Sequence, residues 1–310
     1  MRICLIILFL FSSSLIFAQS EIELTVETDS TILSGTLLLP EDNPTKAVAL
    51  FFSGSGSTDR NGNSGAQYTN NSLKIVAEGL AENGIASLRC DKRGIGKSAF
   101  KGREEDVIFD DFVTDGQAWL NLLKSDDRFE KIYVIGHSQG SLVGAMVSGD
   151  SAVQKFISLA GISSSANEVI QTQLEAQSPL MALAATPKLD SLKAGFMVSV
   201  PEPSLNMIFR KSSQPFLISW FYFEPKDVFA KLGKPILAVI GTTDIQVPMS
   251  ETELLHEAAI GSELYVVEGM NHVLKDAPAD RMRNLEVYSD PEKPSSDDLV
   301  MRLAEFLNSK

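Results

Sequence analysis

With 310 residues, 44% of them hydrophobic and 22% charged, the chain has the composition of a globular protein able to bury a sizeable core, which excludes a disordered or fibrous chain. Its formal net charge of −13 argues against nucleic acid and anionic membrane surfaces as partners, since like charges repel. Length allows one large domain or two small ones, so the order of elements has to decide.

Residues 1–18 read as a secretory signal: Arg2 gives the positive start, residues 3–11 the apolar stretch, and 12–18 a less hydrophobic approach to Ala18. The alternative, a retained anchor, is disfavoured because the apolar stretch is short for a spanning helix and serines follow it. The expected product is an exported protein, periplasmic or extracellular, without stable membrane insertion. Its one remaining cysteine, Cys90, cannot form an internal disulfide, and its place at a strand end reads as a buried structural thiol.

Alternation over 22–26 and the run 31–39 predict an antiparallel opening pair. The continuous apolar run 47–52 then stops at Ser53-Gly54-Ser55-Gly56, as in a strand covered on both faces. Further elements follow in alternation: helix 71–83, strand 85–88, helix 109–124, strand 131–135, a helix over about 140–148, strand 156–159, strand 235–240, helix 250–259 and strand 263–267. A final amphipathic helix, 299–307, follows a loop rich in Pro, Ser and Asp. This succession predicts an α/β fold with a mostly parallel central sheet and helices on both faces. Residues 162–232 break the rhythm with helical patterns alone. They predict a helical cap inserted into a core made of 19–161 and 233–310. The cap's Phe196, Met197, Met207, Phe209 and Trp220 to Phe223 fit either a pocket wall or ordinary helix packing.

Gly136-His137-Ser138-Gln139-Gly140 matches G-x-S-x-G between an apolar strand and a helix, the context in which a tight turn presents a nucleophilic serine. A serine hydroxyl needs a base. Of three histidines, His137 is expected to point away from Ser138 and His256 to lie on a helix, whereas His272 follows the strand 263–267 in a loop that can reach the strand ends. Asp244, in the loop after strand 235–240, is the best carboxylate to orient His272; Asp276 and Asp280 break the order Ser, Asp, His, and Asp227 precedes the strand. Oxyanion stabilisation calls for backbone N–H groups. Gln139 supplies one by position, and Ser55 is favoured for the second, with Gly54 as its alternative. The histidines are scattered and no phosphate or dinucleotide fingerprint is complete, so no metal and no cofactor are expected.

These motifs resemble those of the α/β-hydrolase superfamily, in its bacterial exported esterase and serine-aminopeptidase-like group. Besides Ser138, Asp244 and His272, the segment Ser53 to Gly62 is similar to that group's oxyanion loop, although Ser53-Gly54 stands where many relatives have His-Gly. Asp91-Lys92-Arg93-Gly94-Ile95-Gly96-Lys97-Ser98 resembles its D-x-R-G-x-G-x-S segment. The likeness runs from about residue 22 to 307, and 162–232 falls where the group places a variable cap. It implies metal-free hydrolysis of an ester or amide and does not fix the substrate; a small-molecule ester with a short or medium acyl chain, cleaved through an acyl-enzyme, is favoured because the cap is rich in apolar side chains. Alternatives are a peptidase or amidase acting on small peptides, and a binding protein that keeps a hydrolase scaffold.

Overall fold

The computed structural model describes residues 20–41 and 45–309, so the export signal predicted at 1–18 lies outside the described residues. Strand β1 (Ser20–Glu27) pairs antiparallel with β2 (Thr31–Leu39), which pairs antiparallel with β4 (Ala86–Cys90). From β4 onward the neighbours are parallel: β3 (Ala47–Phe52), β6 (Lys131–His137), β7 (Val153–Leu159), β8 (Ile236–Gly241) and β9 (Glu263–Val267). The sheet order is β1-β2-β4-β3-β6-β7-β8-β9, with the two-residue β5 (Ala99–Phe100) added to β2.

The central strands are apolar throughout because helices cover both faces. On β3, Val48, Leu50 and Phe52 enter one core with α2 (Phe109–Lys124) and α3 (Gln139–Val147), while Ala49 and Phe51 enter the other with α1 (Ser72–Glu82). Strand β6 repeats the alternation, with Ile132 and Val134 on the first side and Tyr133 and Ile135 on the second. Removing each such aliphatic side chain from water is worth about 1.5–3 kcal/mol, enough to fix the register, since a slip of one residue would exchange the two faces.

Between β7 and β8 the chain forms α4 (Ala166–Gln177), α5 (Pro179–Lys193), α6 (Pro203–Phe209), α7 (Gln214–Phe221) and α8 (Pro225–Phe229) and adds no strand to the sheet. Then α9 (Met249–Ala258) crosses between β8 and β9, α10 (Arg281–Glu286) follows, and α11 (Asp297–Asn308) closes the second core with Leu299, Leu303 and Phe306. Among the described residues no helix is long and apolar enough to cross a membrane. Cys90 is free and buried at the end of β4.

Strand β4 runs past the predicted 85–88 because Arg89 and Cys90 pair with Thr36 and Gly35 of β2. Arg89 is buried, with its guanidinium bonded to Asn61 and to Glu21 of β1. A buried cation needs such partners. Helix α3 begins at Gln139, one residue before its predicted start.

Candidate active site

The parallel strands bring the turn after β6, the loop after β8 and the loop after β9 to one edge of the sheet, as their common direction requires. Ser138 occupies the sharp turn between β6 and α3 with φ 54° and ψ −122°, a backbone state that L-residues seldom adopt and that the surroundings must enforce. Enforcement is visible in the flanking glycines. A Cβ on Gly136 would lie 2.3 Å from the Gly140 carbonyl oxygen, and one on Gly140 would lie 2.3 Å from the Phe52 carbonyl oxygen. The Ser138 N–H donates to Leu159 O at 2.8 Å, tying the turn to the end of β7.

His272 and Asp244 meet. His272 Nδ1 lies 2.8 Å from Asp244 Oδ2, with side chains only 5% and 1% exposed. Since the carboxylate accepts, the Nδ1 proton is directed to it and Nε2 is left as the free basic nitrogen. The other Asp244 oxygen accepts the N–H groups of Gln246 (2.8 Å) and Val247 (2.9 Å), so this aspartate both closes its own turn and holds the imidazole. The two loops are stitched together. Gly241 has no room for a Cβ, which would lie 1.9 Å from Met270 O. The Thr243 hydroxyl donates to Gly269 O, and Asn284 Nδ2 donates to Thr243 O while its Oδ1 accepts from Asn271 Nδ2.

The remaining candidates are occupied elsewhere. His256 shares a hydrogen bond with Ser262, Asp276 accepts from Ser296, and Asp280 caps α10 by accepting from Arg283 N. Asp227 lies in the short helix α8. His137 has a role that the sequence reading passed over: its Nε2–H donates to the carbonyl of His272 at 2.8 Å, with the two rings 4.8 Å apart. Burial, followed by the neighbouring His272, pushes its pKa down to about 3, so it is neutral and acts as a backbone clamp. Its position directly before Ser138 was the only signal available.

Two segments border Ser138. Gln139 is the first residue of α3, where helical N–H groups have no partner within the helix. Across from it lies the loop after β3. A Cβ on Gly54 would sit 3.4 Å from Ser138 Cβ, and Ser55 lines the same cavity as Ser138 and Gln139. That loop is anchored by the D-x-R-G-x-G-x-S segment. Asp91 accepts from the Arg60 backbone N–H at 2.8 Å and from the Arg60 guanidinium at 2.7 Å, and Lys92 Nζ donates to Gly54 O. Arg93 in turn is held by Asp115 of α2 through two bonds of 2.8 and 2.9 Å.

The cavity has a volume of about 920 Å³. Beyond the polar edge at Ser55, Ser138 and Gln139 its wall is mixed: Val169, Ile170 and Leu174 of α4, Met207 of α6, Phe216, Leu217 and Trp220 of α7, and Phe112 of α2 are apolar, and Gln173, Gln177 and Gln246 add polar side chains. Of the apolar residues singled out in 196–223, Met207 and Trp220 line this space, Phe209 and Phe221 are buried in packing, and Phe196, Met197 and Tyr222 are exposed. The charged groups at the wall are paired: Arg210 and Ser212 both bind Glu104, and Arg93 binds Asp111 and Asp115.

Comparison with known proteins agrees with this architecture. Residues 64–205 match the serine aminopeptidase, S33, family. Esterase EstD of Thermotoga maritima is 24% identical over 280 residues, which is 83% of this chain and 63% of that protein, so this chain spans a little under two thirds of its relative's length. Among solved structures, Est1E of Butyrivibrio proteoclasticus with ferulic acid bound superposes with a TM-score of 0.59 at 21% identity, covering 86% of this chain and 96% of Est1E. The esterase Pf2001 of Pyrococcus furiosus gives a TM-score of 0.58 at 19% identity, covering 94% and 92%.

Proposed function

Because the chain is an α/β hydrolase in fold, similar over residues 64–205 to the serine aminopeptidase group, we propose that it is a serine hydrolase cleaving uncharged carboxylic esters through an acyl-enzyme. The observation that carries this reading is the buried 2.8 Å bond between His272 Nδ1 and Asp244 Oδ2 at the sheet edge where Ser138 stands in its strained turn. In the proposed reaction Ser138 Oγ attacks the ester carbonyl while His272 Nε2 takes its proton. Asp244 offsets the charge that develops on the ring, and the N–H groups of Gln139 and Ser55, or Gly54 in its place, receive the oxyanion. The alcohol leaves with the proton from His272, and water repeats the sequence on the acyl-enzyme. Helices α4 to α8 act as the cap over the cavity.

An ester is favoured over a peptide with a free N-terminus by the cavity's charge pairing. An α-ammonium buried at a protein wall needs a carboxylate, and the carboxylate at this wall, Glu104, is held below the usual range first by its bond to Arg210 and then by Ser212. Matched ester and amide substrates decide between them, and faster amide turnover would overturn the preference. A fluorophosphonate probe should label wild type on Ser138 and leave Ser138→Ala unlabelled. Folded wild type that takes up no label would point instead to a binding protein on a hydrolase scaffold. We further propose export, supported by the pattern of residues 1–18; a secreted form whose N-terminus lies near residue 19 would bear this out.

A further inference from the structure

Lys92 is an ionisable side chain at the loop beside Ser138 that the proposed chemistry does not use. It follows Asp91 at the end of β4, is half-buried as a residue, and its ammonium is enclosed deeply enough that burial pulls its pKa down to about 7 despite the nearby Asp59 and Asp91. It forms no ion pair among the described residues. Its hydrogen bond goes to a neutral acceptor, the carbonyl of Gly54. Enclosing an ammonium without a carboxylate is costly, so the carbonyl it holds is the place to look for a reason.

The Gly54 carbonyl and the Ser55 N–H belong to one peptide unit, which is planar and trans, so the two bonds point in opposite directions. On the carbonyl side stands Lys92, which borders a small space of about 30 Å³ together with Phe52, Ser53 and Gln139. On the other side, Ser55 lines the large cavity with Ser138 and Gln139. Among the described residues the Ser55 N–H has no hydrogen-bond acceptor, and the next carbonyl, Ser55 O, is fixed by the Thr58 hydroxyl at 2.7 Å. Both ends of the segment are therefore held while its N–H stays open.

We propose that Lys92 is a positioning residue for ester hydrolysis: by holding the Gly54 carbonyl, it aims the Ser55 N–H at the oxyanion. The assignment rests on the serine-hydrolase reading above and deepens it, since it selects Ser55 over Gly54 as the second donor. The Gly54 N–H belongs to the preceding peptide and is not oriented by this bond.

The test compares full-length wild type, Lys92→Met, Lys92→Arg and Lys92→Gln using p-nitrophenyl acetate turnover, inhibition by n-butylboronic acid, which forms a tetrahedral adduct on the serine, and thermal melting. Loss of one well-placed oxyanion donor costs about 10²–10³ in rate, and a donor left in place but misaimed should cost roughly ten- to a hundredfold. Lys92→Met should therefore lose that factor in kcat while KM stays within about threefold, and boronic acid affinity should fall in parallel. Lys92→Arg, which can still reach a carbonyl, should recover part of the loss. A Lys92→Met protein that melts like wild type and keeps its kcat, or loses only in KM, overturns the assignment. If Lys92→Met does not fold, Lys92→Gln is read instead: its amide nitrogen ends one bond short of the Lys92 ammonium, so a smaller loss of kcat at constant KM supports the assignment and an unchanged kcat overturns it. Wild type that neither turns over the ester nor labels with fluorophosphonate refutes the underlying reading, whereas an active wild type beside an indifferent Lys92 series refutes this proposal alone.

Discussion

The two walls of the cavity are built on opposite principles. At the sheet edge, Ser138, His272, Asp244 and the loop after β3 are fixed by directional bonds and by glycines that leave no slack, since a Cβ on Gly136, Gly140 or Gly241 would fall closer than 3 Å to neighbouring backbone. Facing them, α4 to α7 are held mostly by apolar packing of Val169, Leu174, Leu205 and Phe221, and leave Leu180, Leu183, Phe196 and Tyr222 exposed. Directional bonds tolerate almost no displacement, whereas apolar contacts accept changes of shape at modest cost. Chemistry needs the first kind of wall and accommodation of different substrates the second.

That contrast is tested most severely at Asp244. Asp244→Asn keeps the shape and offers its amide oxygen to the ring but removes the charge that offsets a protonated His272. If the edge works as a unit, kcat should fall by about 10⁴ with little change in KM. A loss under tenfold would show that the bond to His272 serves the fold of the two loops alone. Gly241→Ala attacks the same edge through packing: its new Cβ would overlap Met270 O, so the variant should melt well below wild type and lose activity together with stability. An unaltered melting temperature would mean that the loops yield more easily than the geometry implies.

How much could be read in advance follows the same division. The parallel core was legible because buried strands such as 47–52 and 131–135 are continuous apolar runs, and the glycines of G-x-S-x-G announce a turn whose crowding is steric. His272 and Asp244 were legible from their places after two strands, since a parallel sheet delivers such loops to one edge. Other contacts left no local pattern. Neither the bond from His137 to the His272 carbonyl nor that from Lys92 to Gly54 has a spacing rule, because each joins segments brought together only by the sheet. The full length of β4 was hidden by Arg89, a charged residue whose partners lie 28 and 68 positions away. In 196–223 the aromatic residues looked alike in sequence, and only packing separates Trp220 at the cavity from Phe221 in the core and Tyr222 in solvent.

His137 sharpens the comparison through pH. Its folded pKa of about 3 lies below the ordinary histidine value of 6.5, so between those values the unfolded chain binds a proton that the folded one excludes. The neutral ring's contribution is intact above pH 6.5 and is lost as pH falls toward 3, at up to about 1.4 kcal/mol per pH unit. His272, Asp244 and Lys92 supply the surrounding charge. Urea unfolding at pH 7, 6, 5 and 4 should show this slope in wild type in excess of that in His137→Gln, which retains an N–H donor but cannot titrate. Parallel slopes would mean that the imidazole finds a way to protonate in place.

The smallest effect is expected on the apolar wall. Phe216 lines the cavity and lies against Phe112, with ring centroids 5.2 Å apart. Phe216→Ala removes contact area without touching a directional bond. For p-nitrophenyl esters of increasing acyl length, KM should rise by up to about tenfold for the longest, equivalent to about 1.4 kcal/mol of lost apolar contact, and change least for the acetate. The increase should grow with chain length, because a longer acyl group offers more apolar surface to the cavity wall. A uniform fall in kcat across the series would instead mean that α7 helps to fix the reacting groups, and the separation of the two walls would then fail at Phe216.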